Sequence, residues 1–215
     1  MNRRRAILAG GAVIVGAGLA GAVVLTRTPT PTSAADAPRF TLETAPSGIA
    51  HRYTGGVTAS VGGGVAVLDC NEDGLPDLYL AGGDGPAALY RNDGSVGGPL
   101  HFSAVDEPSA TLIDVAGAYP IDIDGDGRTD LVVLRAGENV ILRGLGGCRF
   151  ERANEALGFD GAPGHTTAFS ATWEGDALLP TLAFGHYLGL GADGMPTTDC
   201  ASSTMLRPAD RKSVV

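Results

Sequence analysis

Short apolar runs alternate with polar, glycine-rich turns along most of the chain after residue 39. The runs at 64–68, 78–80 and 88–91 hold three to five residues each and are separated by turns rich in Asp and Gly. Runs of this length are too short for helices, and their content of Val, Leu and Ile favours strands. The pattern therefore predicts an all-β domain of short strands joined by tight turns.

The same plan recurs at an interval of about fifty residues. A first copy lies at 64–80 and a second at 116–133, and their leading acids, Asp69 and Asp122, are 53 residues apart. A third, eroded copy follows at 168–184. Three or four short strands in a unit of this size predict the blade of a β-propeller. A β-sandwich is the alternative, although it has no need for one loop to recur at a fixed interval.

The number of units predicts an incomplete propeller. The 178 residues that follow position 37 accommodate about three units of roughly fifty residues, whereas propellers close with four to eight blades. No acidic loop or strand pattern is recognised after Tyr187. We therefore expect residues 39–215 to form about three blades of a larger propeller. The remaining blades are expected to be missing through truncation or supplied by another chain.

The N-terminal segment has the features of an export signal. Three arginines at 3–5 precede an uncharged, apolar run at 6–25, and a stretch rich in Thr, Pro and Ala follows at 26–38. Residues 1–25 are predicted to be a hydrophobic helix that serves as a signal peptide or as a membrane anchor, of the twin-arginine or Sec type. The stretch at 26–38 is predicted to be an extended linker.

The charge balance of the chain argues against nucleic-acid binding. The formal net charge is −9, and beyond residue 37 there are 11 basic against 23 acidic residues. Nucleic-acid binding requires basic patches, which this balance disfavours, whereas cation binding or simple solubility fits it. The domain after residue 38 is predicted to lie outside the cytoplasm, in the periplasm, at the cell surface or secreted.

The recurring turn carries oxygen-bearing side chains at positions 1, 3, 5 and 9 of a nine-residue loop. Gly74 and Gly127 stand at position 6, where a sharp bend directs the position-7 carbonyl of Leu75 or Arg128 at the same centre. Five or six oxygens with no His or thiol among them predict Ca²⁺ rather than zinc or copper. The side-chain ligands are Asp69, Asn71, Asp73 and Asp77 in the first loop, and Asp122, Asp124, Asp126 and Asp130 in the second.

Two other structures could use a loop of this composition. An EF-hand needs Glu at position 12 and flanking helices, but position 12 is Leu80 in one copy and Val133 in the other, each inside an apolar run. The loop should therefore join strands. A polar Asx-turn hairpin without metal is the second alternative, but its clustered carboxylates would repel one another. The second loop, with four carboxylates, is predicted to bind more tightly than the first. The third copy is predicted to form a blade without metal.

Several motifs resemble a known family. The stretches 64–69, 77–80 and 89–92 read GVAVLD, DLYL and LYRN, and they closely resemble FG-GAP (VCBS-type) repeats, which are the blades of integrin-α-like seven-bladed propellers. LYRN and the Gly-x-Phe turn look most like the cartilage-acidic-protein/ASPIC–UnbV group of secreted and bacterial surface proteins. The similarity covers roughly residues 40–190. It implies that the loop residues named above bind Ca²⁺ and that the propeller serves adhesion or ligand binding.

The three cysteines are an odd number for an exported protein. Cys148 and Cys200 are the expected disulfide pair, although the partner of Cys200 could equally lie in missing sequence. Cys70, between two ligand positions, is expected to be a small buried apolar residue that points away from the ion. Trp173, just before the eroded turn, is expected to pack in the core.

No arrangement of residues predicts an enzyme active site. The four histidines are scattered, and the hydroxyl residues beside His165 (Thr166, Thr167 and Ser170) lack the Gly-x-Ser-x-Gly turn of a hydrolase. The sequence thus predicts an exported, Ca²⁺-stabilised propeller that binds a protein or carbohydrate ligand. An enzyme on a propeller scaffold and a non-functional truncated remnant are the alternatives.

Overall fold

The computed structural model describes residues 39–56, 58–175, 177–193, 195 and 197–208. The predicted signal or anchor at 1–25 and the linker at 26–38 lie outside these residues. The chain divides into two units, Met1–Leu42 and Glu43–Val215, and the fold below is that of the second unit. Within the described ranges, no helix has the length and apolar character needed to cross a membrane.

The described part of the second unit is built from strands, which confirms the all-β prediction. A short 3₁₀ helix at Thr58–Val61 precedes the first strand, and no α-helix occurs among the described residues. The strands are β1 Val65–Leu68, β2 Asp77–Leu80, β3 Ala88–Asn92, β4 Phe102–Val105, β5 Val115–Ile121, β6 Asp130–Gly137, β7 Val140–Gly144, β8 Phe150–Arg152, β9 Gly164–Thr172, β10 Thr181–Leu188 and β11 Thr204–Leu206.

The strands form two antiparallel sheets. Strands β1 to β4 form a four-stranded meander, which we call the first repeat. The second sheet has the order β11-β10-β9-β6-β7-β8, with β5 paired to β6. We call β5 to β8 the second repeat and β9 to β11 the third. They join where Ala136 and Gly137, at the end of β6, pair with β9. The arrangement is consistent with part of a β-propeller.

Strand β11 corrects the expectation that no strand follows Tyr187. Leu206 pairs with Leu182 of β10, and Met205 pairs with Ala183. Three residues of mixed polarity carry no periodic pattern that could be recognised in advance. They become a strand because the free edge of β10 supplies their hydrogen-bond partners.

The first apolar core, core 1, lies between the first and second repeats. Leu68 and Tyr79 of the first repeat pack there with Leu131, Val133 and Leu142 of the second. Tyr79, Leu131, Val133 and Leu142 are fully buried. Successive residues of a strand point to opposite faces, so the intervening residues of β6 must face away from this core.

Core 2 lies on that other face, between the second and third repeats. Val132 and Leu134 of β6 pack there with Leu182 and Phe184 of β10. Strand β6 is therefore covered on both sides, which is the physical reason for the unbroken apolar run at 131–134. The third repeat lacks the acidic loop but keeps the apolar face that stacks on its neighbour.

One cross-strand pair of residues occupies the same place in each of the three repeats, and the three pairs differ in how deeply they are buried. Ala118 pairs with Val133 and contributes to core 1, and Phe169 pairs with Phe184 and contributes to core 2. The corresponding pair of the first repeat joins Val65 to Leu80. Val65 is 55% exposed, so this apolar face of the first repeat lies open within the described structure.

The inner strands of the first two repeats approach closely because glycine stands at the contact. The amide of Gly64 donates to the Ala116 carbonyl at 3.0 Å. A Cβ added at Gly64 would lie only 2.8 Å from the Cα of Gly117. The glycine just before β1 thus permits the close packing of β1 against β5.

Trp173 corrects the expectation that it packs in the core. Strand β9 ends at Thr172, and Trp173 is 46% exposed at the start of the following turn. Because side chains alternate along a strand, Phe169 and Ala171 lie on the face that packs against core 2. Trp173 would be the next residue on that face, but the strand ends one residue before it. Phe169 and Phe184 provide the aromatic packing of the third repeat instead, with ring centroids 5.2 Å apart.

His186 links three strands of the third repeat and predicts a pH effect. Its Nδ1 lies 2.9 Å from Oγ1 of Thr166, and its Nε2 lies 3.1 Å from Oγ1 of Thr204. Burial lowers the pKa of His186 below its ordinary value of 6.5. A depressed histidine pKa means that the folded chain resists protonation, so its contribution to stability is present above pH 6.5 and lost as the pH falls below it.

We therefore expect the free energy of unfolding to fall between pH 7.5 and pH 5.5 more steeply in the native chain than in His186→Gln. One proton limits the difference in slope to about 1.4 kcal/mol per pH unit. Urea unfolding across this range measures it, with His101→Gln, at an exposed histidine, as the control. Parallel slopes for the native chain and His186→Gln would contradict the assignment.

Candidate metal centre

Both acidic loops are tight hairpin turns between the first two strands of a repeat. The first loop, 69–77, leads from β1 into β2, and the second, 122–130, leads from β5 into β6. No helix flanks either loop, since both neighbouring elements are described as strands. The prediction that the loops join strands is confirmed, and the EF-hand alternative is excluded.

The two loops share a set of internal hydrogen bonds. Oδ2 of Asp69, at position 1, accepts the amide of Gly74 at 2.8 Å, and Oδ2 of Asp122 accepts the amide of Gly127 at 3.0 Å. Both glycines have positive φ, 83° and 86°, which a residue with a side chain adopts only with strain. The carboxylate at position 1 and the glycine at position 6 therefore determine the same bend in each loop.

The position-5 carboxylates tighten the second half of each loop. Oδ1 of Asp73 accepts the amide of Leu75, and Oδ1 of Asp126 accepts the amide of Arg128, each at 2.8 Å. These bonds order the backbone at position 7, whose carbonyls are the predicted main-chain ligands. The loop conformation is thus encoded locally, within nine residues of sequence.

The carboxylates at position 9 are fully buried and connect each loop to the rest of its repeat. Asp77 accepts the amides of Cys70 and Asn92, and each bond is 2.8 Å long. Asp130 accepts the amides of Ile123 and Gly144 at the same distance. In both repeats one bond therefore reaches back to loop position 2, and the other reaches across to β3 or β7.

Burial dominates the electrostatics of this position. Loss of hydration raises the pKa of Asp77, and it raises the pKa of Asp130 to about 6. The two accepted amides act in the opposite direction, and the nearby carboxylates at positions 3 and 5 of the second loop raise the pKa of Asp130 further. A buried carboxylate beside like charges is costly unless a cation offsets them, which is the condition for a metal site.

The second loop brings three of its four predicted carboxylates together. One oxygen from each of Asp122, Asp124 and Asp130 lies within 4.8 Å of the others. The fourth, Asp126, instead directs Oδ2 toward Nη1 of Arg128 at 3.3 Å. Arg143 contributes a feature that the sequence did not reveal, because its Nε lies 2.8 Å from Oδ2 of Asp124.

The first loop has a different side-chain arrangement. Nδ2 of Asn71 donates to Oδ2 of Asp73 at 2.8 Å, and Oδ1 of Asp69 accepts the amide of Asp73 at 3.1 Å. The other close group of metal-ligating types in the described ranges is Cys70, Asp77 and Cys148. That group is not a metal site, because its two sulfurs are bonded to each other and neither is a thiolate.

The disulfide joins Cys70 to Cys148, so the expected Cys148–Cys200 pair is wrong. Cys200 is a free, exposed thiol. Cys70 is buried, as expected, and lies among the residues of core 1, but it is bonded rather than merely packed. The pair is separated by 78 residues and forms because the first repeat stacks on the second. No spacing rule in the sequence identifies it.

Comparison with known proteins identifies the repeat. Residues 69–133 match the family model described as an FG-GAP-like repeat, and this stretch contains both acidic loops. The match covers less than a third of the chain and supports an FG-GAP repeat protein. A search of the curated proteins found no match.

Proposed function

From the FG-GAP-like repeat at residues 69–133, we propose that this chain is an exported Ca²⁺-binding module of the β-propeller type. In this proposal it resembles the cartilage-acidic-protein/ASPIC–UnbV group and binds a protein or carbohydrate ligand outside the cytoplasm. The observation that carries the proposal is the repeated loop. Two acidic hairpins 53 residues apart share the same hydrogen bonds at positions 1, 5 and 9.

Charge supports a cation at these loops. The second loop concentrates four carboxylates in nine residues, and one of them, Asp130, is fully buried. Arg128 lies against Asp126 and Arg143 lies against Asp124, but both arginines are partly exposed, and each contacts a single carboxylate of the loop. A divalent ion among Asp122, Asp124 and Asp130 would neutralise the like charges at their closest approach.

The donor set favours calcium over softer metals. Carboxylate, amide and carbonyl oxygens are hard ligands, and Ca²⁺ accepts six to eight of them in a flexible geometry. Zinc and copper sites rely on imidazole or thiolate, which neither loop offers as a free group. In this proposal the ligands are the position 1, 3, 5 and 9 side chains and the position-7 carbonyls of Leu75 and Arg128.

A binding role is favoured over an enzymatic one. His165 and Thr166, the residues that most resembled a base beside a hydroxyl nucleophile, are both buried. The Thr166 hydroxyl is engaged with Nδ1 of His186. These contacts support a structural role for these two residues and for His186.

The open apolar face of the first repeat supports the proposal that further blades complete the propeller. Val65 and Val67 of β1 are 55% and 54% exposed. Their partners Leu80 and Leu78 share this face. The equivalent face of the second repeat is buried in core 1, and that of the third repeat is buried in core 2. A further β-sheet, from this or another chain, would cover the first face in the same way.

Calcium is expected to raise the stability of the chain substantially. A ligand that binds only the folded state contributes about 2.7 kcal/mol at one hundred times its Kd. For a domain of this size that corresponds to a rise in Tm of roughly 5–10 °C per site. Thermal unfolding of the full chain, first with chelator and then with excess Ca²⁺, measures the effect. Mg²⁺ at equal concentration tests ion selectivity.

A matched pair of variants assigns the effect to the second loop. Asp124→Ala removes a predicted ligand and should abolish the share of the calcium-induced rise that comes from this loop. Glu151→Ala removes a carboxylate in the same way at an exposed residue that also contacts Arg143, at 3.5 Å, and should keep the full rise. An unchanged Tm on adding Ca²⁺ to the native chain would reject the proposal.

A further inference from the structure

We infer that the Cys70–Cys148 disulfide holds the first acidic loop in its binding conformation and thereby sets the affinity of that loop for a cation. The inference rests on the proposed calcium function and deepens it, because it concerns the regulation of one of its two sites. It is carried by the position of Cys70 inside the loop and by the contacts of Cys148.

Cys70 occupies position 2 of the first loop, between two predicted ligands. Its amide donates to Oδ2 of Asp77 at 2.8 Å, so Cys70 fixes one oxygen of the buried position-9 carboxylate. The amide of Cys148 donates to the Cys70 carbonyl at 2.8 Å, and its sulfur lies 3.8 Å from the same Asp77 oxygen. The second repeat thus holds the start of the first loop by one covalent bond and one hydrogen bond.

The second loop provides an internal reference without a disulfide. Ile123 occupies the same position 2, and its amide donates to Oδ2 of Asp130 at 2.8 Å. Its side chain is buried in core 2. The second loop is therefore anchored by apolar packing where the first is anchored by a disulfide. Any effect of the disulfide on binding should be confined to the first loop.

The turn that carries Cys148 is held in place by hydrogen bonds. It joins β7 to β8, and the amide of Leu145 donates to the Arg149 carbonyl at 2.9 Å across it. Gly144, at the end of β7, donates its amide to the buried Asp130. An ion pair of 3.6 Å between Arg128 and Glu72 connects the second loop to the first beside this turn. The disulfide therefore ties the first loop to a fixed part of the neighbouring repeat.

The physical effect is preorganisation. The acids of the first loop repel one another when no cation is present, which favours a more open and variable loop. A loop that is already held closed loses less conformational freedom on binding, and its affinity rises accordingly. Linkage is reciprocal, so a cation bound at the first loop must make the disulfide harder to reduce.

Reduction of the Cys70–Cys148 disulfide is the chemical step that would weaken cation binding at the first loop. A dithiol reductant supplies two electrons and two protons, converts the disulfide into the thiols of Cys70 and Cys148, and itself becomes a cyclic disulfide. The first loop then keeps its hydrogen bonds to the second repeat but loses its covalent anchor. We expect its Kd for Ca²⁺ to rise by at least about fivefold, the lower end of typical coupling between sites.

Calorimetric titration of the full chain with Ca²⁺ tests the inference. All measurements use a Cys200→Ser background, which removes the exposed thiol that could exchange with the disulfide. Binding at the first loop is measured with the second loop inactivated by Asp124→Ala, and binding at the second loop is measured with the first inactivated by Asp73→Ala. The disulfide is removed by Cys70→Ala with Cys148→Ala, which takes away the covalent anchor without supplying a large apolar one and keeps the backbone amides and carbonyls of both residues.

The expected result is a Kd at least about fivefold higher for the first loop and within about twofold of the original for the second. An unchanged Kd at the first loop would overturn the inference, because the loop would then bind equally well without the covalent anchor. An equal rise at both loops would also overturn it, since it would indicate general destabilisation. Absence of binding at both loops of the disulfide-bonded chain would instead reject the proposed function, and the inference with it.

An equilibrium measurement on the disulfide-bonded chain keeps the test independent of whether the double variant folds. Alkylation followed by mass measurement counts the thiols present at equilibrium in buffers of defined ratios of reduced to oxidised dithiothreitol. Saturating Ca²⁺ is expected to raise the ratio needed for half reduction by at least about fivefold. The same shift should disappear in Asp73→Ala but persist in Asp124→Ala. An equal ratio with and without Ca²⁺, in a chain shown to bind Ca²⁺ at the first loop, would overturn the inference.

Discussion

Replacing Asp130 with alanine is expected to lower the free energy of unfolding of the metal-free chain by about 2–4 kcal/mol. The substitution leaves the buried amides of Ile123 and Gly144 without their acceptor. Each unsatisfied donor costs about 1–3 kcal/mol. Removal of a buried charge offsets part of this loss, because burial raises the pKa of Asp130 to about 6. Urea unfolding with excess chelator measures the difference.

Asp126→Ala is the matched control for this change. Asp126 lies in the same loop and carries the same charge, but it is exposed, and its partners are the amide and guanidinium of Arg128. Its removal should cost less than about 1 kcal/mol. Similar small losses for both variants would show that Asp130 has no special structural role.

The pH dependence of the Asp130 effect has a definite sign. When folding raises the pKa of a carboxyl, its contribution to stability is fully present below the pKa that it has in the unfolded chain. For Asp130 that contribution is lost as the pH rises through its folded pKa of about 6. Without metal, the gap between the native chain and Asp130→Ala should therefore be wider at pH 5 than at pH 7.5. A gap that widens toward higher pH would contradict the burial argument.

Replacing Phe184 with alanine is expected to lower the free energy of unfolding by about 3–5 kcal/mol, the range for buried aromatic residues. Phe184 is 1% exposed in core 2. Its ring centroid lies 5.3 Å from that of Phe159 and 5.2 Å from that of Phe169. The truncation would leave a cavity between the second and third repeats that neighbouring strands can only partly fill. Denaturant unfolding of the full chain measures the loss.

The control for Phe184 lies on the opposite face of the same repeat. Met205 of β11 pairs with Ala183, the neighbour of Phe184, and is 74% exposed. Met205→Ala should change stability by less than about 0.5 kcal/mol. A comparable small loss for Phe184→Ala would mean that the third repeat does not stack on the second as a cooperative part of the fold.

The two large effects concern different parts of the repeat. Asp130 connects its loop to the backbone of its own repeat, whereas Phe184 joins one repeat to the next. The third repeat lacks the acidic loop yet keeps the apolar face, so stacking between repeats does not depend on the acidic loop. A repeat without acids can therefore still support its neighbour.

The sequence alone determined the acidic loops and the strands around them. All oxygen-bearing side chains and the position-6 glycine of a loop lie within nine residues, and the bonds that bend it, such as Asp69 to Gly74, are local. Local patterns can be recognised because they need no knowledge of the fold. The unbroken apolar run at 131–134 likewise predicted a strand, and its burial on both faces followed from stacking.

Only the tertiary structure decided which distant residues meet. Cys70 bonds to Cys148 because two repeats stack, and Arg143 reaches Asp124 because β7 lies beside β6 in the same sheet. The edge of β10 makes a strand of Thr204–Leu206, and the end of β9 leaves Trp173 exposed. These outcomes depend on contacts between residues far apart in the chain. The periodicity and spacing of residues in the sequence carry no information about the energies of such contacts.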